Sequence, residues 1–322
     1  MVYTKFYVYR TSDLCKKELM NRILLFFIIL GMGVNANSQD WLDKEMYPFE
    51  SNYIDLEDGS MHYVDEGTGE VILFVHGTPT WSFLYRDLIK NLYTSYRCIA
   101  IDHIGFGLSE KPIDFEGTPQ VHAEHLSEFI EKMDLQNITI VVHDFGGPIG
   151  LSSAIVNSTR IKQVVLFNTW LWETKSNPEA KKVDKILKGW MGRFLYLSMN
   201  FSPKVLLKKG FYDKSHLSKD IHKHYIKPFP NKDSRRSLLR IGQSLVGSSD
   251  WYQQQWESMD VLADKPWLIL WGTKDEFITA DYLEKWEKRL PNAQVHRLDC
   301  GHFVQEEQAE EVLSHMLKFL SK

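Results

Sequence analysis

Residues Ile138 to Gly150, ITIVVHDFGGPIG, decide the fold. The run Ile138 to Val142, apolar but for Thr139, reads as a buried strand. It passes through His143-Asp144-Phe145-Gly146-Gly147 into the helix-compatible stretch Pro148 to Val156. Strand, sharp turn and helix in that order form an elbow of the G-x-S-x-G type. Such an elbow holds a nucleophile clear at the carboxyl end of a parallel sheet and offers the next residue's N–H as an oxyanion donor. The elbow position holds Asp144 where serine would stand. A carboxylate nucleophile attacks saturated carbon or an epoxide and forms an ester that water must then cleave.

Outward from the elbow, strands and helices alternate. Tyr53 to Leu56 and Met61 to Val64 read as a hairpin around Asp58-Gly59, and Val71 to His76 as a fully apolar strand. A helical pattern over Ser82 to Leu92 follows the loop Gly77 to Trp81. Next come a strand at Arg97 to Asp102 with the exit His103-Ile104-Gly105-Phe106-Gly107, and a helix over Pro119 to Met133. Beyond the elbow lie the strand Val164 to Phe167 and its exit Asn168-Thr169-Trp170. This alternation predicts an α/β class chain: a mostly parallel twisted sheet with helices on both faces and its site at the carboxyl ends of the strands.

From Leu171 to Lys265 strand-like alternation stops. Lys, Trp, Tyr and Leu recur at helical spacing, with breaks at Pro178, Pro203, Pro228 and Pro230. Alternation then resumes with a strand at Trp267 to Trp271, a helix at Tyr282 to Arg289, a strand at Val295 to Leu298 and a closing helix over Phe303 to Leu320. Residues 171–265 are therefore expected to be a helical cap over the site, between core segments 39–170 and 266–322. Asp275 and His302 each fall in a loop just after a strand, where a triad needs an acid and a base. Asp299 is the competing carboxylate for the acid.

The motifs His76-Gly77-Thr78-Pro79-Thr80-Trp81-Ser82-Phe83-Leu84-Tyr85-Arg86, Asp102 to Pro112 (DHIGFGLSEKP) and Val141 to Gly147 (VVHDFGG) resemble the cap-bearing α/β-hydrolases with an aspartate nucleophile, most closely the haloalkane dehalogenases. The chain order nucleophile, acid, base is also that of the α/β-hydrolase fold. The resemblance implies that Asp144 displaces halide from an sp³ carbon and that His302 activates water against the resulting ester. Asp275 would orient the imidazole, and the backbone N–H groups of Thr78 and Phe145 would form the oxyanion hole. It implies no metal and no organic cofactor, only a small apolar substrate and water. In relatives the acid can instead follow the strand before the cap, but that place holds Asn168, which favours Asp275.

The chain departs from the family where halide is held. A Trp normally follows the nucleophile, and an Asn after His-Gly or a cap Trp supplies the second donor; here Phe145 and Thr78 occupy those places. Losing one hydrogen bond to a charged group costs about 1.5 to 3 kcal/mol. Trp81, Asn168, Trp170 and Trp172 are the candidate replacements. Epoxide hydrolysis by the same triad is an alternative that needs an acid from cap tyrosines, with Tyr196, Tyr212, Tyr225 and Tyr252 available. A ligand-binding homologue that has lost efficient turnover is another.

Composition agrees with one catalytic unit. The 322 residues are 43% hydrophobic and 13% aromatic with net charge −4, unlike a disordered or nucleic-acid-binding chain. The basic pairs Lys208-Lys209 and Arg235-Arg236 read as solvated faces. Met20-Asn21-Arg22, the apolar run Ile23 to Val34 and Ala36-Asn37-Ser38 read as a signal peptide, so residues 1–38 are expected to be a leader cleaved near Ser38, with translation starting at Met1 or Met20. The mature chain would then be exported to the periplasm without a membrane span. Cys98 and Cys300, lacking metal or disulfide spacing, read as buried thiols.

Overall fold

The computed structural model describes residues 40–321. The expected leader lies outside them. Strands β1 (Asn52–Leu56) and β2 (Gly59–Glu66) form the hairpin read from the sequence. Six further strands follow: β3 (Val71–Val75), β4 (Arg97–Ile101), β5 (Ile138–Val142), β6 (Ile161–Phe167), β7 (Trp267–Gly272) and β8 (Gln294–Leu298). They join one sheet of order β1-β2-β4-β3-β5-β6-β7-β8. From β3 to β8 neighbours run parallel, while β2 pairs antiparallel with both β1 and β4. Every residue of β3, β5 and β7 is buried, which requires cover on both faces and explains why these strands read as apolar runs, Thr139 of β5 excepted.

Helices α1 (Arg86–Leu92, entered through a 3₁₀ turn at Ser82–Tyr85), α2 (Pro119–Lys132) and α3 (Gly146–Val156) connect the central strands. The start of α2 is written locally: Pro119 occupies the first turn, where a missing N–H costs nothing, and Thr118 accepts from the Val121 N–H. β4 and β5 lie on opposite sides of β3, so the chain leaves β3 in one direction and returns in the other. The loops after β3 and β5 therefore diverge and leave a crevice at their carboxyl ends.

Between the neighbouring strands β6 and β7 the described residues form helices and turns only. The helices are α4 (Pro178–Lys188), α5 (Lys219–Ile226), α6 (Arg236–Gly247) and α7 (Ser249–Ser258), with short helical turns between α4 and α5. α4 is capped by the Asn177 side chain, which accepts from the Glu179 and Ala180 N–H groups, and it packs against α6. After β7 come α8 (Ala280–Arg289) and, after β8, the terminal α9 (Ala309–Leu320).

One expected element is divided. The closing helix read over Phe303 to Leu320 breaks at Gln308 (φ −134°, ψ 39°) into a short turn, Val304–Glu307, and α9. All four residues of the short turn are buried, and four consecutive buried side chains cannot share one helix stripe. The break restores an ordinary stripe of Val312, Met316 and Phe319 on α9. Both thiols are buried as read from the sequence, and burial pushes Cys98 up to about 12.

Candidate active site

The elbow is held in a conformation that most residues avoid. Asp144 has φ +53°, in the left-handed region, which costs a non-glycine residue on the order of 1 kcal/mol and persists only where the surroundings fix it. Its N–H donates to the Asn168 carbonyl at 3.0 Å, and its own carbonyl accepts from Thr169 Oγ1 at 2.6 Å, so the exit of β6 grips the turn from both sides. From the loop after β3, the Thr78 N–H donates to Asp144 Oδ1 at 2.8 Å. That approach requires glycine at 77, because a Cβ there would collide with the Asp144 carboxylate and the Phe145 nitrogen.

His302 and Asp275 complete the constellation. His302 Nε2 lies 3.5 Å from Asp144 Oδ2, and His302 Nδ1–H donates to Asp275 Oδ2 at 2.7 Å. The main chain of His302 is fixed from two directions. Its N–H donates to the Gly210 carbonyl at 2.7 Å, and its carbonyl accepts from His143 Nε2 at 2.9 Å. Burial holds His143 neutral, down to about 3, so its proton sits on Nε2. Burial also works against charge on His302, but Asp275 and Asp144 together outweigh it and hold the imidazole up to about 10. Burial raises Asp275, yet the charge and hydrogen bond of His302 and the N–H groups of Phe277 (2.7 Å) and Ile278 (3.1 Å) keep it below the usual carboxylate range. The rival Asp299 is mostly exposed and pairs with Lys274 at 3.3 Å, away from His302.

Above Asp144 lies a cavity of about 430 Å³. The core contributes Thr78, Phe145, Trp170, Ile278 and Phe303 to its wall, and the insertion contributes Val183, Leu187, Tyr196, Leu206 and Leu245. Its chemistry is that of a mostly apolar chamber with one carboxylate and one imidazole at its base.

Of the four residues expected to hold halide, Trp170 alone lines this cavity. Its ring meets Phe145 edge to face at 4.9 Å, and its buried Nε1–H has no hydrogen-bond partner among the described residues. The other three are engaged elsewhere. Trp81 is fully buried and donates Nε1–H to the His224 carbonyl at 3.0 Å. Trp172 is packed into an aromatic cluster with Trp256 (5.1 Å) and Trp286 (5.4 Å), beneath Lys285. Asn168 bridges β6 to β7: its Oδ1 accepts from the Gly272 N–H, and its Nδ2 donates to the Gly272 carbonyl and to Asp275 Oδ2. It supports the acid rather than the pocket. The bracing residues His143 and Gly210 were not singled out in the sequence. The one local sign was a polar residue, His143, at the end of an apolar strand.

A family model described as alpha/beta hydrolase fold matches residues 70–309, well over half of the chain. The chain belongs to the α/β-hydrolase family. Within it the enzyme is haloalkane dehalogenase-like. It is 32% identical over 279 residues to haloalkane dehalogenase 2 of Mycobacterium bovis, covering 86% of this chain and 96% of that one. It is 34% identical over 290 residues to a cis-3-alkyl-4-alkyloxetan-2-one decarboxylase of Shewanella oneidensis, covering 86% of this chain and 90% of the relative. Among solved structures, the haloalkane dehalogenase DatA of Agrobacterium tumefaciens C58 superposes with a TM-score of 0.78 at 26% identity, over 87% of this chain and 99% of DatA.

Proposed function

We propose that this α/β-hydrolase cleaves neutral, apolar molecules at an sp³ carbon bearing a leaving group, haloalkanes in the first instance, through a covalent Asp144 ester. The observation that carries the reading is the division of labour between the two oxygens of Asp144. Oδ1 is tied to the Thr78 N–H, and Oδ2 lies 3.5 Å from His302 Nε2 on the wall of the cavity. Oδ2 attacks carbon, the carbon–halogen bond breaks with its electron pair leaving on halide, and the Trp170 Nε1–H receives that halide. Water then adds to the carboxyl carbon while His302 takes its proton. The oxyanion develops on Oδ1, where Thr78 N–H is already placed, and the Phe145 N–H follows the elbow as the second donor. Collapse returns Asp144 and releases alcohol, halide and a proton. Residues 171–265 act as the cap of this site. Export remains part of the same proposal, and finding Met1 intact on cytoplasmic protein by N-terminal sequencing would refute it.

The absence of a side-chain N–H at positions 78 and 145 favours one second reading, the opening of an oxetan-2-one such as the named substrate of the Shewanella relative. Asp144 would attack the sp³ ring carbon, and the ring C–O bond would break to leave a carboxylate tethered to the substrate. Loss of carbon dioxide would send the C–C electron pair into an alkene and expel Asp144. No free halide need be held and no water is consumed. Epoxide hydrolysis is less well supported. Tyr196 alone of the four cap tyrosines lines the cavity, since Tyr225 donates to Glu306, Tyr252 donates to the Ser244 carbonyl at 3.0 Å and Tyr212 is largely exposed.

The test is a side-by-side assay of bromo- and chloroalkanes and of cis-3,4-dialkyloxetan-2-ones, with Asp144→Ala as control. Halide release that vanishes in the control supports the first reading. Alkene and carbon dioxide without halide release move the assignment to the second, and Asp144-independent products refute both.

A further inference from the structure

The cap carries a surface that the proposed chemistry does not use. Of the fifteen exposed large apolar side chains among the described residues, seven fall between Val183 and Val205. Trp190 is 75% exposed, Ile186 52% and Phe194 49%. Val183, Ile186 and Trp190 follow at helical spacing along and just beyond α4. The next turn, Trp190–Arg193, is folded against the end of that helix, because Gly192 approaches the Ile186 carbonyl too closely for any Cβ. The exposed Trp190 and Met191 adjoin Gly192 in sequence, and Phe194 follows two residues on. An exposed apolar cluster of this kind marks an interaction surface in a soluble protein.

The charge around it identifies the partner. Residues 181–209 hold eight Lys and Arg against Asp184 alone, a local net charge of +7 in a chain whose total is −4. Lys182, Lys188 and Lys209 are paired with Glu179, Asp184 and Glu276. Lys181, Lys185, Arg193, Lys204 and Lys208 are exposed and make no ion pair with any described residue. Exposed aromatic and aliphatic side chains interspersed along one segment with unpaired cations are the pattern that settles into the headgroup region of an anionic bilayer, the apolar groups entering the acyl boundary and the cations meeting phosphate. No helix among the described residues is long and apolar enough to cross a membrane, so the contact is one of lying on the surface. Helix α4 also faces the reaction chamber: its Val183 and Leu187 line the cavity above Asp144.

We infer that the cap face from Val183 to Val205 docks on anionic lipid surfaces and opens the cavity toward the bilayer, so that membrane-dissolved apolar molecules are the substrate class. The docking stands on the patch alone; the substrate class rests on the proposed Asp144 chemistry.

Hydrogen exchange of the full chain, with vesicles of equal parts phosphatidylglycerol and phosphatidylcholine or of phosphatidylcholine alone, tests the docking without any turnover. Amides of residues 183–206 should slow on the mixed vesicles and not on the neutral ones. Lys185→Ala and Lys208→Ala should each weaken vesicle affinity about five-fold, and high salt should abolish it. The triple variant Trp190→Ser, Met191→Ser, Phe194→Ser should lose the protection while keeping the parent's unfolding midpoint. Equal or absent protection on the two vesicle types overturns the inference. So does protection that precedes vesicle addition, whether it grows with protein concentration, as for a second copy, or disappears when residues 1–38 are removed. A chain that docks but turns over neither substrate class refutes the proposed function and leaves the docking intact.

Discussion

Replacing Asn168 by leucine separates two roles for that residue. Were it a halide donor, Asn168→Leu would spare stability and slow only halide-dependent steps. The structure assigns it three buried hydrogen bonds: 2.8 Å from the Gly272 N–H, 3.0 Å to the Gly272 carbonyl and 2.9 Å to Asp275 Oδ2. Leucine has similar volume, so little cavity term arises, but it strands the Gly272 N–H, leaves the Gly272 carbonyl with only the Asp275 N–H at 3.4 Å, and removes one donor from a carboxylate. A stranded buried polar group costs about 1 to 3 kcal/mol and a bond to a charged group about 1.5 to 3 kcal/mol, and such terms share relaxation, so we expect about 3 to 5 kcal/mol in total. At about 1.7 °C per kcal/mol for a domain of this size, the thermal midpoint should fall by roughly 5 to 9 °C. Loosening Asp275 should also slow ester hydrolysis, on the order of tenfold to a hundredfold, with alkylation less affected. Differential scanning calorimetry and single-turnover kinetics measure the two effects. A variant within about 1 kcal/mol of the parent, with slowed halide release and normal ester hydrolysis, would refute the reasoning.

His302→Ala should stop the reaction at the ester: the intact protein gains the mass of the alkyl group at Asp144, and steady-state turnover falls on the order of 10²- to 10⁴-fold. Asp144→Asn should accumulate nothing. Trp170→Phe removes, among the described residues, the one buried side-chain N–H on the cavity wall without a hydrogen-bond partner, so halide release should drop about ten- to a hundred-fold while alkene formation from an oxetan-2-one is spared. Stability should respond to pH with two opposite signs. His103, His122 and His143 are held by burial below the usual histidine range, so the unfolded chain takes up protons first and stability falls as pH drops below about 6.5. His302, held up to about 10, contributes stability that is complete below about 6.5 and fades as pH rises toward its folded value. Denaturant midpoints from acid to alkaline pH measure both limbs, and His122→Phe should make the acid limb shallower, since neither of its ring nitrogens has a hydrogen-bond partner among the described residues.

The parts of this chain that could be read without coordinates are those encoded by neighbours in sequence. β5 spans Ile138–Val142 as read, because a short β-branched run, apolar but for Thr139, suits a strand covered on both faces. Asp144, Asp275 and His302 were legible because each stands in the loop just past the carboxyl end of a strand, where the parallel sheet delivers it to the same edge. The pocket was not legible, because the direction of an indole is set by distant partners. Trp81 spends its N–H on a carbonyl 143 residues away, and Asn168 meets Gly272 across 104 residues. Neither distance leaves a periodic trace. The break at Gln308 has the same origin: Glu306 is drawn inward by Arg86, 220 residues earlier, with contacts of 2.5 and 2.7 Å.

The position of His302 between two carboxylates explains how one imidazole can be quiet in the first half-reaction and basic in the second. In the resting site Asp144 and Asp275 both favour the imidazolium, and a protonated ring cannot take a proton from water. The ring does not need to, because the nucleophile is already ionic. Once Oδ2 has become an ester oxygen, Asp144 carries no charge and its support for the imidazolium is gone. Asp275 remains, 2.7 Å from Nδ1, and orients the ring, but burial now acts against a single counter-charge instead of two and the pKa of His302 must fall. The proton leaves and Nε2 becomes the acceptor that hydrolysis requires, beside the atom whose alkylation released it. Under the proposed mechanism, the order of the two chemical steps is thus set by the charge on Asp144.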